Sequence, residues 1–214
     1  MKKLTNLVIS LFLLSTISLK ADVGIGITGA YHMLDVSGSE TTRQSGQVNN
    51  GSHEENVVIP EIFVEAIDDN GFAFGVSYIP TREMGSKSRS DTSTTGDGQD
   101  TGTYTAKAEL DNVLQVYTDI PLGSTATHLK LGIQHATVAT KETLNSGSNY
   151  PDKDLLGLTV GFGVKGDIPY GANLYYKGEL TYTNFETYEA TAAGNKVTAD
   201  LEDIAAKFSV GYKF

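Results

Sequence analysis

Apolar and polar side chains alternate with a period of two along most of the chain. In the stretch 23–33, apolar residues such as Val23, Ile25 and Ile27 occupy every second position, and small or polar residues fill most of the positions between them. Successive side chains of a β-strand point to opposite faces of the sheet, so this alternation predicts strands with one apolar face. Eight such segments follow one another, at residues 23–33, 58–66, 72–78, 104–120, 128–134, 156–165, 174–182 and 203–214.

The connections between the predicted strands alternate between short turns and long polar stretches. Short turns are predicted at Asp68–Gly71, where Asn-Gly favours a tight hairpin, and at Pro121–Gly123 and Asp167–Gly171. The long polar stretches, which we interpret as loops, lie near residues 37–56, 81–102, 142–154 and 189–197. Short turns at one end and long loops at the other are typical of bacterial outer-membrane barrels.

The second face of the predicted strands carries charges of both signs. Six acids and five bases fall on it: Glu61, Glu65, Lys107, Glu109, Asp111, Lys130, Lys165, Lys177, Glu179, Asp203 and Lys207. A soluble barrel would fill its interior with apolar side chains, because a buried charge is costly unless it is paired. We therefore expect the apolar face to point outward into lipid and the charges to pair inside. The predicted fold is all-β, an eight-stranded antiparallel up-and-down transmembrane β-barrel, whose closure leaves no sheet edge in lipid.

Aromatic residues on the outward face lie near the ends of the predicted strands. Two belts of this kind match the interfacial girdles of membrane barrels, although scattered aromatics in an ordinary β protein are the alternative. The short-turn side has Phe72, Phe74, Tyr176, Tyr212 and Phe214, and the long-loop side has Tyr31, Tyr78, Tyr104 and Tyr182.

The first 21 residues have the order of a secretory signal peptide. Two lysines precede an uncharged run over residues 4–19, and Ala21 follows shortly after it. This run is shorter than the roughly 20 apolar residues that a spanning helix needs, so cleavage after Ala21 is predicted. The chain then divides into a signal peptide, residues 1–21, and one barrel domain, residues 22–214, whose predicted location is the outer membrane.

Composition limits the possible partners. The formal net charge is −10 and no basic cluster is present, so nucleic acid is not an expected partner. The chain has no cysteine, which leaves neither a disulfide framework nor a thiolate site for metal or redox chemistry. Outer-membrane lipid and lipopolysaccharide are the expected surroundings, and any extracellular ligand is left open.

The last strand carries a family resemblance. Its alternating residues Phe208, Val210 and Tyr212, followed by the terminal Phe214, resemble the end of small outer-membrane barrels of the opacity-protein and OmpA-membrane-domain type. In that family the final alternating strand is the signal that the barrel assembly machinery recognises. The resemblance therefore implies that these four residues are an assembly signal and that this machinery is a partner. It implies the fold and the location, and it implies no activity.

Motifs for catalysis or ligand binding are weak. Gly24–Gly29 and Gly161–Gly166 match Gly-x-Gly-x-x-Gly, but neither opens a predicted helix, as a dinucleotide site requires. The aspartates around residues 91–100 do not follow the alternating spacing of a calcium loop. The histidines His32, His53, His128 and His135 are not spaced as metal ligands. We predict no catalytic residue, no cofactor and no metal.

The leading functional hypothesis is a structural, surface-contact barrel with a plugged interior and long external loops. Eight strands enclose an interior that side chains can fill, and near-balanced charges favour ion pairs over a pore. The alternative is a narrow, porin-like channel for small solutes. A hydrolase at the rim, with His32 or His53 near Ser77 or Glu54, is a third and less favoured class. The strand register is least certain near Pro60, Asn112 and His135.

Overall fold

The computed structural model describes residues 21–41, 46–91, 102–123, 126–143, 150–169, 171–192 and 194–214. The predicted signal peptide, apart from Ala21, lies outside the described residues and stays a prediction. No helix in the described part is long and apolar enough to cross a bilayer. The strands are β1 Ala21–Thr41, β2 Val48–Asp68, β3 Ala73–Ile79, β4 Arg82–Asp91, β5 Gly102–Pro121, β6 Thr127–Thr143, β7 Lys153–Asp167, β8 Leu174–Phe185, β9 Tyr188–Ala192 and β10 Asn195–Lys213.

These strands form one closed, antiparallel barrel. The antiparallel pairing runs in the order β1–β2–β3–β5–β6–β7–β8–β10, with β4 also paired to β5 and β9 to β10, and β1 pairs with both β2 and β10, which closes the ring. The short strands β4 and β9 continue β3 and β8 after brief interruptions. Counted with the strands that they continue, the ring has eight strands. The predicted eight-stranded antiparallel barrel is therefore confirmed.

The predicted short turns lie at one end of the barrel, which we call the turn end. The carboxylate of Asp68 accepts hydrogen bonds from the backbone N–H of Asn70 at 2.9 Å and of Phe72 at 2.8 Å, and Gly71 has a φ of 83°. A positive φ is easy for glycine, which explains the Asn-Gly signal in the sequence. The opposite end, where β1–β2, β4–β5, β6–β7 and β9–β10 connect, is the hairpin end.

Where the structure describes them, the long polar loops predicted at the hairpin end are mostly strand, so the loop interpretation was wrong for those residues. β1 continues to Thr41 and β2 begins at Val48, within a stretch that we expected to be a loop. β4 and β9 occupy parts of two other predicted loops. Outside lipid a strand no longer needs an apolar outer face, so its backbone can stay extended while the outward hydrophobic alternation disappears.

The hairpin end has the opposite polarity from the rest of the barrel. Met33 points outward with 41% of its surface exposed, whereas the next residue, Leu34, points inward and is buried. Nearer the turn end, the outer face is apolar and the interior is polar. Beyond Leu34, the interior is an apolar cluster of Leu34, Ile59, Ile79, Met84, Leu110, Val113, Ala136, Val138, Leu155, Phe185, Tyr188, Ala190 and Leu201.

A β-bulge at Asn112 shifts the register of β5. Asn112 has a φ of 51°, and the pairing of β5 with β6 slips between Asp111 and Leu114. The extra residue places Leu110 and Val113 on the same inward side. The predicted inward faces of Glu109 and Asp111 imply that Leu110 faces outward, and that orientation was wrong; the bulge lies at a position where the register was least certain.

The same bulge turns three predicted interior charges outward. Lys107, Glu109 and Asp111 lie on the outer surface near the hairpin end, which corrects the prediction that they line the interior. The Lys107 ammonium lies 2.9 Å from Glu83 and 2.8 Å from Glu109, and Lys141 also bonds Glu109. Hydrogen bonds from the two lysines lower the pKa of Glu109, and those to Glu109 and Glu83 raise the pKa of Lys107.

The other uncertain positions fit the barrel without a bulge. Pro60 lies opposite Gly29 in an uninterrupted β1–β2 register and faces outward, and His135 is half-buried on the outer side opposite Leu114. The belt aromatics also face outward: Tyr31, Tyr78, Tyr182, Phe72, Tyr212 and Phe214 are exposed, and Phe74 and Tyr176 are partly exposed. The side chain of Tyr104 lies outside the described residues.

The charged interior as a candidate functional site

Eight of the eleven predicted interior charges lie inside the barrel. Seven of them are buried: Glu61, Glu65, Lys130, Lys177, Glu179, Asp203 and Lys207. The eighth, Lys165, is half-buried at the turn end, where its ammonium bonds the backbone carbonyl of Gly71. The alternation along each strand points these charged side chains into the barrel and away from the lipid-facing surface.

Glu65 is the most fully bonded carboxylate of the interior. It accepts hydrogen bonds from the Lys177 ammonium at 2.7 Å, from the Tyr117 hydroxyl at 2.6 Å and from the Tyr175 hydroxyl at 2.8 Å. Lys177 also lies 4.5 Å from the centre of the Phe63 ring and 4.9 Å from that of Tyr117. Charge, hydroxyl donors and aromatic faces thus compensate together for the removal of this pair from water.

A second group of charges lies beside Glu65. The ammonium of Lys130 sits between two carboxylates, 2.9 Å from Asp119 and 3.0 Å from Glu179. His128 bonds Glu179 at 2.9 Å through its Nε2 atom. Lys177 also approaches Asp119, at 3.4 Å, which joins this group to Glu65 in one network.

The third group lies just below the apolar cluster. Lys207 bonds Glu61 at 2.8 Å, and the Arg82 guanidinium bonds Asp203 at 3.0 Å. His32 lies between the two pairs, with Nε2 3.2 Å from Glu61 and Nδ1 2.9 Å from Arg82. Nδ1 is also 2.9 Å from Asp203, so it meets both the guanidinium and the carboxylate, which bond each other directly.

Sequence reasoning missed four members of this network. Arg82 was missed because it begins β4, in a stretch that we expected to be a loop. Asp119 was not assigned a face, although it follows Tyr117 by two residues and shares its inward side. His32 and His128 were weighed as metal ligands, and His32 also as part of a rim hydrolase, but neither was counted as a charge partner. The two-residue step from Tyr117 would have identified Asp119.

The interior charges balance. Asp119 joins the acids and Arg82 joins the bases, so five acids face five bases: Glu61, Glu65, Asp119, Glu179 and Asp203 against Arg82, Lys130, Lys165, Lys177 and Lys207. A small cavity between the groups, lined by Thr28, Ser77 and Gln115 among others, has room for about one water molecule. Above it lie the buried side chains of the apolar cluster.

One group of residues has the composition of a metal site. Ligand atoms of Asp119, His128 and Glu179 all lie within 4.8 Å of one another. A histidine and two carboxylates suit zinc and related ions. The Lys130 ammonium already occupies the space between the two carboxylates, so a divalent ion would have to displace it. The arrangement favours an internal ion pair over a metal centre.

The hydrogen bonds of the buried histidines do not form a nucleophile–base pair in the described part of the chain. His32 contacts carboxylates and Arg82, and His128 contacts Glu179 and Asp119. Ser77, which we considered as a partner of a histidine, bonds Gln115 at 3.3 Å. His53 is half-exposed on β2 and lies 3.3 Å from Glu55.

The predicted assembly-signal residues line the outer side of β10. Phe208, Tyr212 and Phe214 are exposed, and Val210 is partly exposed. The rings of Tyr212 and Phe214 pack edge to face with centroids 4.9 Å apart. The N–H of Phe214 donates to the carbonyl of Val23 at 2.9 Å, next to the seam where β10 meets β1. These residues thus stand at the junction that closes the barrel.

Comparison with known proteins gives the fold. No protein-family model and no curated protein sequence matches the chain. The solid-state NMR structure of outer membrane protein AlkL in DMPC bilayers is similar, with 11% identity, a TM-score of 0.51 and 92% of each chain covered. Neisserial surface protein A matches with 10% identity, a TM-score of 0.39 and coverage of 87% of this chain and 97% of that one. Outer membrane protease OmpT from Escherichia coli matches with 7% identity, a TM-score of 0.44 and coverage of 94% and 99%. The AlkL match and the closed ring of eight antiparallel strands agree: the chain has the fold of the small outer-membrane β-barrels.

Proposed function

We propose that this protein is a plugged outer-membrane barrel that acts as a structural, surface-contact protein. The observation that carries the proposal is the reversal of polarity along the barrel. The part nearer the turn end is apolar outside and charged inside, which suits a barrel surrounded by lipid. The hairpin end is polar outside and apolar inside, which suits a barrel surrounded by water. The chain is thus built to cross a membrane and to project from it.

The apolar outer face has the height of a bilayer. The stretch 23–33 of β1 contains 11 residues; at about 3.3 Å per residue and a tilt of about 40°, it spans about 28 Å along the barrel axis. Exposed apolar residues such as Ile27, Leu158 and Phe208 lie within the corresponding stretches of three strands. Bacterial barrels keep their short turns in the periplasm. The hairpin end then faces the outside of the cell.

The interior supports a plug and not a channel. Four ion-paired bases, Lys165 and five acids fill the membrane-spanning level, and the apolar cluster closes the barrel above them. A conducting path would need a continuous column of water, and the cavity described here has room for about one molecule.

The test is planar-bilayer conductance of the refolded segment Asp22–Phe214, with gel heat-modifiability as the check that the barrel has formed. We expect a folded barrel without conductance steps. A matched variant, Leu110→Ser with Leu34→Ser, removes two apolar side chains of the plug and keeps the charged network. Steady conductance steps from the unchanged protein would overturn the plugged interpretation and favour the narrow channel.

A further inference from the structure

One amide in the charged interior has a donor without a partner. Gln115 of β5 points into the barrel with only 2% of its surface exposed. Among the residues that the structure describes, its Nε2 atom is buried and bonds no other group. Buried polar groups in folded proteins almost always have a protein or a water partner, because a buried donor that bonds nothing is costly. The Gln115 amide therefore points to a partner outside the protein chain.

Two neighbours fix the position of this amide. The Ser77 hydroxyl donates to Oε1 of Gln115 at 3.3 Å, so the oxygen side of the amide is already bonded. The nitrogen side lies against Gly132 of β6, where a Cβ atom would be only 3.0 Å from Nε2. Glycine at position 132 thus leaves the space that the amide occupies, and the hydrogen bond from Ser77 sets which of its ends is left to bond a ligand.

The unpartnered donor belongs to the wall of the small cavity described above. The cavity has a volume of about 10 Å³, close to the minimum of about 10–15 Å³ that one water molecule needs. Gln115 shares this wall with members of all three charged groups: Lys177 of the first, Lys130 and Glu179 of the second, and Lys207 and Glu61 of the third. The donor is therefore directed at a space where the three groups meet.

The charges around the cavity favour a neutral occupant. Three ammonium groups in the wall, those of Lys130, Lys177 and Lys207, exclude a cation. Each of them already lies within 2.9 Å of a carboxylate oxygen, so none calls for an added anion. An anion would also bring an uncompensated negative charge into an interior of five acids and five bases, and a buried charge without a partner is costly.

We propose that this cavity is the binding site of one structural water molecule, which accepts a hydrogen bond from Nε2 of Gln115. Buried waters typically make about three hydrogen bonds, and the carboxylates of Glu61 and Glu179 in the wall offer acceptors for the two hydrogens of the water. The water completes the bonding of the interior at the point where its three charged groups meet. This inference goes beyond the proposed function, because it holds whatever the hairpin end contacts.

The test is a crystal structure of the refolded segment Asp22–Phe214, grown with bromide in place of chloride and at a resolution that shows ordered water. We expect a density peak at about 2.7–3.2 Å from Nε2 of Gln115, without the anomalous signal of bromide. An anomalous peak there would mean an anion site, and the absence of any peak would mean a dry cavity. Either result would overturn the proposal.

A direct bond between two glutamines is the competing arrangement. Gln134 lies opposite Gln115 in the β5–β6 register, is equally buried, and has an Oε1 atom without a partner among the described residues. Density that shows the two amides bonded to each other, with no water at Nε2 of Gln115, would refute the water site.

Two variants test whether Gln115 anchors the water. Gln115→Met removes the donor and keeps a side chain of similar length, and the peak should be lost. Gln134→Met is the matched control, because it removes a buried amide that is not part of the cavity wall, and the peak should remain. A peak that survives Gln115→Met, or that disappears in Gln134→Met, would refute the role of Gln115. If Gln115→Met does not form a heat-modifiable barrel, the density of the unchanged protein decides alone.

Discussion

Replacement of Lys177 by methionine tests the paired interior most directly. Methionine keeps an apolar side chain beside the Phe63 ring but removes the ammonium that lies 2.7 Å from Glu65. Removing one partner of a buried ion pair costs about 3–5 kcal/mol, because the remaining charge is left without compensation. Glu65 keeps two hydroxyl donors, and Asp119 keeps Lys130 at 2.9 Å. We therefore expect the lower end of that range, about 3 kcal/mol of lost unfolding free energy.

The assay is urea unfolding of the refolded barrel in lipid vesicles, followed by far-UV circular dichroism, because the chain has no tryptophan to report by fluorescence. The control is Lys141→Met, which removes a bond to Glu109 from a lysine side chain that is 62% exposed. Exposed ion pairs contribute about 1 kcal/mol or less, so this variant should change stability little. The double variant Glu65→Gln with Lys177→Met should regain much of the loss, since glutamine leaves no unpaired charge. If Lys177→Met costs no more than Lys141→Met, the interior is well hydrated and our account of the plug fails.

Four further predictions follow from other parts of the barrel. Deletion of Phe214 should reduce outer-membrane insertion and leave export intact, as measured by fractionation; normal insertion would remove the assembly role of the terminal residue. Asn112→Val should cost about 1–2 kcal/mol in urea unfolding because a β-branched residue resists the positive φ, whereas Asn112→Gly should be nearly neutral. Leu110→Ala should cost about 2–5 kcal/mol if Leu110 is buried in the plug, and a surface-like loss below about 0.5 kcal/mol would contradict the inward orientation. The pKa of the Glu109 carboxyl, measured by NMR, should lie below its ordinary value of 4.5, and it should rise in Lys107→Met. The stability that this carboxylate contributes is present above its unfolded-state pKa and is lost as pH falls through its folded-state pKa. A titration midpoint that the variant leaves unchanged would refute the pairing of Glu109 with Lys107.

The charged network could be predicted in outline because its members follow the strand pleat. Residues such as Glu61, Lys130 and Lys177 sit in long regular alternations, and each lies inside the barrel as expected. Arg82 could not be predicted, because no apolar alternation surrounds it. The reversal of polarity does leave a local trace: two adjacent apolar residues, one inward and one outward, occur at Met33–Leu34 and at Leu155–Leu156. Such pairs are a signal for the height at which a strand leaves lipid.

The sequence by itself determined the strands of the membrane-spanning part, their apolar outer face and the sign balance of the interior. These properties are local, since the pleat of a strand and the cost of exposing charge to lipid act on each residue in turn. The tertiary structure alone decided that Lys107, Glu109 and Asp111 face outward, because one extra residue at Asn112 reverses the side of every residue beyond it.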